Sequence, residues 1–179
     1  MRPLRLTPFI LTCVIAVLMA VTFASAQDAT PGVSPQEEAQ RELLYRIVED
    51  GLTIGDFDLV RELIAEDFVV HSPVGDLDRE GFVGFMQALR ASLSDFTVTR
   101  DAVIVEGEYA ATRATISGTF DGADFASPMG TLPPNGEVVT IVLQTFHQFD
   151  DEGRIVEEWA MFDLLSFFTQ LGAMPAPSS

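Results

Sequence analysis

The chain has 179 residues, a length that suits one domain of ordinary size. Its ten basic residues, all arginine, and its 27 acidic residues give a formal net charge of −17, which argues strongly against a nucleic-acid partner or an anionic membrane surface. Hydrophobic residues make up 47% of the chain, too many for a disordered acidic protein, so we expect a packed core.

The first 26 residues are typical of a signal peptide. Arg2 and Arg5 provide a positive start, residues 9–23 are almost wholly apolar, and residues 24–26 fit an A-x-A cleavage site. The apolar run is shorter than the ~20 residues that a membrane-spanning helix needs. We therefore expect export to the periplasm or the medium, with the mature chain starting near Gln27.

Cleavage at this site would remove two arginines and the only cysteine, Cys13, and would take the formal charge from −17 to −19. The mature protein would then have no thiol for a nucleophile, a disulfide or a thiolate metal site. His71 and His147 are its only histidines, which excludes a multi-histidine metal centre. We expect no metal and no cofactor.

Helical signals follow a flexible lead-in at residues 27–33. Residues 34–37, Ser-Pro-Gln-Glu, have the form of a capping box with proline at the first helical position. Apolar residues then recur at three- and four-residue spacing, which predicts a helix that the glycines of residues 51–55 break. Asp56 caps a second, shorter predicted helix, and a third begins near Asp78.

Strand signals dominate the second half of the chain. A short apolar run at residues 68–71 stops before Pro73, and after Ser94 the hydrophobic period changes from helical to two. Residues 151–153 read as a three-residue hairpin loop with glycine at the position of positive φ. The four long strand candidates are residues 96–105, 109–120, 137–149 and 154–162, with a Gly/Pro-rich loop at 121–136 and a closing helix at 163–172.

Helices followed by a run of antiparallel strands indicate an α+β fold, in which one curved sheet carries helices on a single face. No internal repeat or second domain is visible in the sequence. We therefore expect one domain at residues 34–172, followed by a polar tail at residues 173–179.

A family resemblance lies in the segment DDEGRIVEEWAMFDLLSFFTQLG, which is similar to the closing signature of the SnoaL-like polyketide cyclases and ester cyclases. In that family an acidic-glycine turn leads to a strand of the form I-x-E-x-W-x-x-x-D and then to a helix that ends in Q-L-G. The matching positions are Ile155, Glu157 or Glu158, Trp159, Asp163, Gln170, Leu171 and Gly172. The segments GTF at 118–120, PPNG at 133–136 and GDFDLVRELIAEDFVVH at 55–71 also resemble the family.

The resemblance covers about residues 40–172. It implies the cone-shaped α+β fold of the nuclear-transport-factor-like superfamily, often homodimeric, with a cavity between sheet and helices. It also implies a small carbonyl ligand and a cofactor-free acid/base reaction. The sequence departs from the family at Phe120, which replaces the usual histidine, and at residues 146–147, Phe-His, where an arginine is common.

Asp163 is the main catalytic candidate. In the polyketide cyclases the matching aspartate removes a proton next to a carbonyl. A carboxylate on an apolar face is partly desolvated, which raises its pKa and suits it to proton transfer near neutral pH. Asp163 also begins a helix, where aspartate is a favoured N-cap, and one carboxylate can do both. The expected hairpin register pairs Asp163 with Ile141, Met161 with Leu143, Trp159 with Thr145 and Glu157 with His147.

Other candidates belong to the same expected cavity. His71 ends an apolar strand where the family often has a pocket histidine, so it could hold a substrate carbonyl or share a proton with Asp163. A hydrogen-bonded structural role is the alternative for His71. His147 could instead form a cross-strand pair with Glu157. The expected ligand contacts are Trp159, Met161, Leu143, Phe120 and His147.

Three functions remain open from the sequence. The first is an exported protein that binds a small apolar carbonyl compound and catalyses cyclisation or isomerisation with Asp163 and His71. The second is a non-catalytic module that uses the same cavity for a ligand or its sheet for a protein partner. The third, a hydrolase of the epoxide type, needs an Asp-Arg-Asp cluster to which Arg113 could contribute.

Overall fold

A computed structural model describes residues 33–174, so the expected signal peptide lies outside the described part of the chain. Within that part the helices are α1 (Pro35–Arg46), its π-helical continuation (Ile47–Thr53), α2 (Phe57–Leu63), α3 (Arg79–Ser92) and α4 (Leu164–Gln170). The strands are β1 (Ile64–Ser72), β2 (Gly75–Asp78), β3 (Leu93–Glu106), β4 (Tyr109–Phe120), β5 (Phe125–Ser127), β6 (Gly130–Leu132), β7 (Val138–Phe149) and β8 (Ile155–Met161). No helix among the described residues has the length and apolar character needed to cross a membrane.

Side-chain caps start the helices where the sequence predicts them. Ser34 Oγ accepts a hydrogen bond from the Glu37 N–H at 3.1 Å, and the Glu37 carboxylate accepts one from the Ser34 N–H at 2.8 Å, which is the predicted capping box. Asp56 and Asp78 cap α2 and α3 in a similar way. Gly51 does not break the first helix as expected, because the chain passes through it in the π-helical stretch.

Six strands form one sheet in the order β2–β1–β8–β7–β4–β3. Neighbouring strands are antiparallel except β1 and β8, which run parallel. The α+β fold expected from the sequence is confirmed, whereas the expectation of a purely antiparallel sheet is wrong. Parallel pairing is possible here because the long chain between β1 and β8 can return to the same end of the sheet. The strand β2 and the small β5–β6 hairpin within the loop 121–136 are not predicted from the sequence.

The core lies between the helices and one face of the sheet, which we call the inner face. Phe68, Phe120 and Phe167 are among its largest fully buried side chains. The opposite, outer face carries large exposed apolar residues, including Phe146 and Met161. The position of a side chain on one face or the other therefore decides whether it can contribute to an internal site.

The hairpin between β7 and β8 begins as predicted. The Gly153 N–H donates to a carbonyl across the loop at 3.0 Å, and Gly153 has a φ of +79°. Phe149 and Ile155 are paired in the expected register. Val156 is then an extra residue on β8, because the next pair along the hairpin skips it. This residue forms a β-bulge.

The bulge reverses which side chains of β8 face the core. Beyond it His147 lies opposite Glu158 and Phe146 lies opposite Trp159, each one residue away from the expected partner. Side chains alternate along a strand, so a shift of one residue exchanges the two faces. Glu158 therefore faces the helices, whereas Trp159 and Met161 face outward.

A glycine holds the loop after β4 against α3, and its replacement should destabilise the fold. The Gly122 N–H donates to the Ser92 carbonyl at 3.0 Å, and a Cβ at this position would overlap the Ala91 carbonyl oxygen. We expect Gly122→Ala to lower the free energy of unfolding by about 1–3 kcal/mol, because backbone has to move. Gly84→Ala is the control, since open space surrounds Gly84 on α3 and alanine there should be neutral or stabilising. Urea unfolding compares the two variants, and a Gly122→Ala protein as stable as the wild type would contradict the close packing.

Candidate functional site

Two adjacent hollows lie between the helices and the inner face of the sheet. The apolar hollow reaches toward the β1–β2 turn and has a volume of about 50 Å³, and the polar hollow reaches toward the π-helical stretch and has a volume of about 60 Å³. Each has room for a few water molecules, since about 10–15 Å³ of such space holds one. Their shared lining residues are Phe82, Met86, Ile116, Leu143 and Glu158. A carboxyl group thus belongs to the wall of both.

Glu158 is the residue that the bulge turns inward. Its side chain is 13% exposed. Burial raises the pKa of Glu158 from 4.5 to about 7, although the positive charge of Arg100 partly opposes the rise. A carboxyl group with a pKa near neutrality can both accept and release a proton under ordinary conditions.

His147 on β7 is the neighbour of Glu158 in the polar hollow. It is 2% exposed, and its Nδ1 atom lies 3.4 Å from Glu158 Oε2. Burial, and after it the charge of Arg100, lowers the pKa of His147 from 6.5 to about 3, so the ring is neutral near pH 7. Two adjacent groups whose surroundings push their pKa values apart are typical of acid/base sites.

A chain of hydrogen bonds runs from Arg100 to His147. Arg100 Nη1 donates to Thr112 Oγ1 at 2.7 Å, and the hydroxyls of Thr112 and Thr145 are 2.5 Å apart. Thr145 Oγ1 in turn lies 2.8 Å from His147 Nε2. A guanidinium can only donate, whereas each hydroxyl can accept two hydrogen bonds, so the direction of donation along the chain follows the tautomer of His147. When the two hydroxyls relay the donation to Nε2, the ring proton is on Nδ1, the atom next to Glu158.

Two buried nitrogen atoms of this cluster have no hydrogen-bond partner among residues 33–174. They are Arg100 Nε and His147 Nδ1, whose contact with Glu158 lacks hydrogen-bond geometry. Arg100 also donates from Nη2 to the Leu44 carbonyl at 3.2 Å, but within the described chain no carboxylate forms an ion pair with it at 4.0 Å or less. An unmet buried donor or acceptor costs about 1–3 kcal/mol, so two of them in one cluster point to a functional constraint.

Asp163 does not lie in either hollow, and the expectation that it faces an apolar cavity is wrong. Its side chain is exposed, and its Oδ1 atom accepts a hydrogen bond from the Ser166 N–H at 2.9 Å as the N-cap of α4. The bulge is the reason, because it moves Phe162 rather than Asp163 into the lining of the apolar hollow. Asp163 thus has the capping role that the sequence analysis leaves open.

His71, Trp159 and Met161 lie on the outer face, so their expected place in the cavity is also wrong. Phe68 and Val70 of β1 are buried toward the helices, and alternation along the strand sends His71 the other way. The His71 ring stacks on Trp159 with 5.7 Å between centroids, and Met161 is 63% exposed. His71 and Asp163 therefore cannot act together on a ligand in the hollows.

The remaining candidates are divided between the hollows, the core and the surface. Leu143 lines both hollows and His147 lines the polar one. Phe120 is fully buried in the core but lines neither hollow. Arg113 lies on the outer face and pairs with Asp101 at 3.2 Å, so it does not supply a cation to the hollows for an epoxide-type hydrolase.

His71 is held between two carboxylates, which should raise its pKa measurably. Its Nδ1 atom lies 3.0 Å from Asp76 Oδ1, and its Nε2 atom lies 2.8 Å from Glu157 Oε1. The hydrogen bond to Glu157 and then that to Asp76 raise the pKa of His71 above 6.5. The two contacts therefore add to the free energy of unfolding. Their contribution is complete below the ordinary pKa of 6.5 and is lost as the pH rises through the raised pKa of His71.

We expect Asp76→Asn to lower the pKa of His71 in an NMR titration of the ring protons, because one of its two acceptor charges is removed. Asp58→Asn is the control, since Asp58 is an exposed residue paired with Arg61 on α2. Equal titration curves for wild type and Asp76→Asn would contradict the bridging geometry.

The polar residues that build the site are not among the site residues expected from the sequence. They are Glu158, Arg100, Thr112 and Thr145. Arg100, Thr112 and Thr145 can be recognised from the sequence, because each takes an inward position on a strand whose inward positions are otherwise apolar. Glu158 cannot be recognised in this way, because the bulge decides which face of the sheet its side chain lies on.

The family of the chain follows from its sequence as well as its fold. A model of the SnoaL-like polyketide cyclase family matches residues 42–171. The chain belongs to this family. A comparison with curated proteins finds no match.

Solved structures resemble this SnoaL-like chain over most of its length. A candidate SnoaL-like polyketide cyclase from Jannaschia sp. CCS1 is 26% identical, with a TM-score of 0.67 over 79% of this chain and 97% of that one. IdmH, a candidate polyketide cyclase from Streptomyces antibioticus, is 29% identical, with a TM-score of 0.61 over 74% and 98%. An LEH-like epoxide hydrolase from M. tuberculosis is 16% identical, with a TM-score of 0.57 over 78% and 93%, which supports the fold alone.

In this SnoaL-like chain the signature aspartate and the buried acid are different residues. Asp163 matches the family motif but caps a helix at the surface. Glu158, five positions earlier, is the carboxyl group in the hollows. An acid/base reaction inside this chain therefore has Glu158 available and not Asp163.

Proposed function

We propose that this SnoaL-like chain binds a small, largely apolar carbonyl compound in its hollows and catalyses a cofactor-free cyclisation or isomerisation, with Glu158 as the acid/base. The observation that carries the proposal is a carboxyl group with a pKa of about 7 in the shared wall of the two hollows. Family membership supports the reaction class. The apolar lining supports the ligand class, because such a wall favours an apolar molecule with few polar groups.

The reaction starts when ionised Glu158 accepts a proton from the carbon next to the carbonyl group. The electron pair of the C–H bond forms a carbon–carbon double bond, and the carbonyl π pair moves onto the oxygen to give an enolate. Attack of the enolate carbon on a second carbonyl of the same molecule closes a ring, whereas reprotonation at another carbon isomerises the compound. Glu158 returns the proton in either case. The substrate gains and loses no electrons overall, so the balance needs no redox cofactor.

The hollows have to widen for such a ligand. Ligand pockets usually enclose ~300–1,000 Å³, several times the volume of either hollow. Phe82 and Met86 of α3 belong to the lining of both hollows, so their movement would join the two spaces. A methionine side chain adapts easily because it is unbranched and has several rotatable bonds. The proposal therefore includes displacement of these two side chains on binding.

Deuterium exchange tests the proposed reaction directly. Small cyclic ketones and diketones are incubated with the protein in D2O, and NMR follows the loss of the proton next to the carbonyl. The rate should rise as the pH rises through about 7 and then level off, because the ionised form of Glu158 is the base. A ketone that binds in the hollows without any catalysed exchange would favour the alternative, a non-catalytic binding module.

The same proposal includes export of the mature chain. Its support is the positive start, the apolar run and the A-x-A site in residues 1–26. Expression of the full chain in a bacterial host, followed by cell fractionation and mass spectrometry, should find an exported protein whose first residue is Gln27. An intact N-terminus in the cytoplasmic fraction would contradict export.

A further inference from the structure

The polar hollow holds more hydrogen-bond donors than the described residues satisfy. Arg100 uses Nη1 for Thr112 and Nη2 for the Leu44 carbonyl, which leaves Nε without an acceptor. In the tautomer in which His147 Nε2 accepts from Thr145, the proton on Nδ1 also lacks an acceptor. Both residues line the polar hollow. Native proteins rarely leave such atoms unpaired, so the hollow calls for an acceptor that the described residues do not supply.

The charges around the hollow favour an anionic acceptor over a neutral one. Arg100 brings a positive charge, and within residues 33–174 no carboxylate oxygen lies within 4.0 Å of its nitrogen atoms, although the charges of Glu158 and Asp101 act on it from farther away. Glu158 is the buried acid nearest to His147, and it is neutral for as long as it holds a proton. Charged oxygens accept stronger hydrogen bonds than neutral ones, and a buried cation is stabilised by a paired anion.

We infer that Arg100 and His147 form an oxyanion subsite, in which Arg100 Nε–H and His147 Nδ1–H donate to a negatively charged oxygen of the ligand. The inference rests on the proposed function in one respect, the entry of a ligand into the hollows. It adds to the proposed function the two residues that would hold the oxygen of the enolate formed when Glu158 removes a proton. The C–H bond breaks, the proton goes to Glu158, and the charge that develops on oxygen meets donors already in place, which is how such sites stabilise a transition state.

Two matched probes test the subsite without any turnover. 4-Nitrophenol forms a coloured phenolate that mimics an enolate, and nitrobenzene has the same ring without the hydroxyl group. Binding is measured by calorimetry and by the phenolate absorption band, in the wild type and in Glu158→Gln, where no carboxylate can repel the phenolate. We expect the phenolate to bind ~10- to 100-fold more tightly than nitrobenzene in Glu158→Gln. We also expect bound nitrophenol to ionise more readily than free nitrophenol, whereas a merely apolar hollow would favour the neutral form.

Arginine variants identify the donor. Arg100→Met removes the donors and the charge but keeps a side chain of similar length, so the preference for phenolate should fall to about that of nitrobenzene. Arg113→Met makes the same change of charge on the outer face and should keep the preference. Because Arg100→Met could fold poorly, the comparison of the two probes in proteins with Arg100 intact stands as a separate test.

Each outcome decides between the alternatives. Equal affinity for the two probes, or an undiminished preference in folded Arg100→Met, would overturn the subsite. Failure of both probes to bind would overturn the subsite together with the proposed entry of ligand. A phenolate preference without catalysed deuterium exchange of any ketone would support the subsite and count against the proposed catalysis.

Discussion

The Glu158→Gln variant should lose about 100- to 10,000-fold of the catalysed deuterium exchange, the usual range for removing a general base. Glutamine keeps the shape of the side chain but cannot accept the proton. The effect should fall on the catalytic rate, whereas the affinity for ligand should hardly change, because the apolar walls of both hollows stay intact. The rise of rate through about pH 7 should also disappear, since the ionisation of Glu158 causes it.

Glu157→Gln is the matched control for this variant. Glu157 is the preceding residue on β8, but it lies on the outer face and bonds His71 there at 2.8 Å. The two substitutions change the same atoms at neighbouring positions of one strand, and only one of them reaches the hollows. A similar loss of exchange in both variants, or full activity in Glu158→Gln, would remove Glu158 from the mechanism.

Much of the fold could be predicted because its signals are local. The Ser34 capping box and the Asp56 and Asp78 caps depend on residues three positions away, and the structure has all three. The strand β4 begins and ends at residues 109 and 120, as its alternating pattern predicts. Parallel pairing of β1 with β8 has no local signal, because it joins segments that lie far apart in the chain.

The candidate site could not be predicted because one extra residue in β8, Val156, decides which side chains of that strand face the hollows. Without Val156 as a bulge, Trp159, Met161 and Asp163 would all face inward, as the sequence analysis expects. Both faces of β8 contain apolar residues, so either register buries a hydrophobic side, and alternation alone cannot choose between them. The bulge also explains why the motif aspartate lies at the surface while Glu158 lies in the hollows.

Polar residues at inward strand positions were the signal that could have located the site. Phe96, Val98 and Arg100 follow one another at a spacing of two, and the first two are buried. An arginine in that position either turns to the surface at a bulge or enters the core with hydrogen-bond partners. Arg100 enters the core, where Thr112 is its partner. A search for charged residues in such positions would have pointed to the polar hollow.

The buried pair should also give the protein a bell-shaped dependence of stability on pH. The folded pKa of Glu158 is about 7 against an ordinary 4.5, so the folded state holds an extra proton between these values. Stability therefore falls by about 3 kcal/mol as the pH rises from 4.5 to 7. The folded pKa of His147 is about 3 against an ordinary 6.5, so the unfolded state binds the extra proton and stability falls by about 4–5 kcal/mol as the pH drops from 6.5 to 3.

The two effects oppose each other between pH 4.5 and 6.5, which should give a plateau of stability there. Glu158→Gln should remove the fall in stability toward high pH, and His147→Gln should remove the fall toward low pH. Glu158→Gln should be more stable than the wild type at about pH 8, by about 3 kcal/mol, because the wild type has an ionised, buried carboxylate there. His147→Gln should become more stable relative to the wild type as the pH falls toward 3, because it has no ring to protonate on unfolding.

Urea unfolding at several pH values measures both differences, and Asp58→Asn should leave the bell unchanged, because Asp58 is an exposed residue paired with Arg61 on α2. The comparison separates a structural from a functional role for Glu158. If Glu158 stabilised the fold, its replacement by glutamine would not raise the free energy of unfolding. If Glu158 is the catalytic base, the Glu158→Gln protein should be inactive and yet more stable than the wild type above neutral pH. That combination is expected because a reactive buried carboxylate lowers the stability of the fold. If glutamine instead weakens the fold at every pH, the buried carboxyl group serves the fold and the acid/base role must be abandoned.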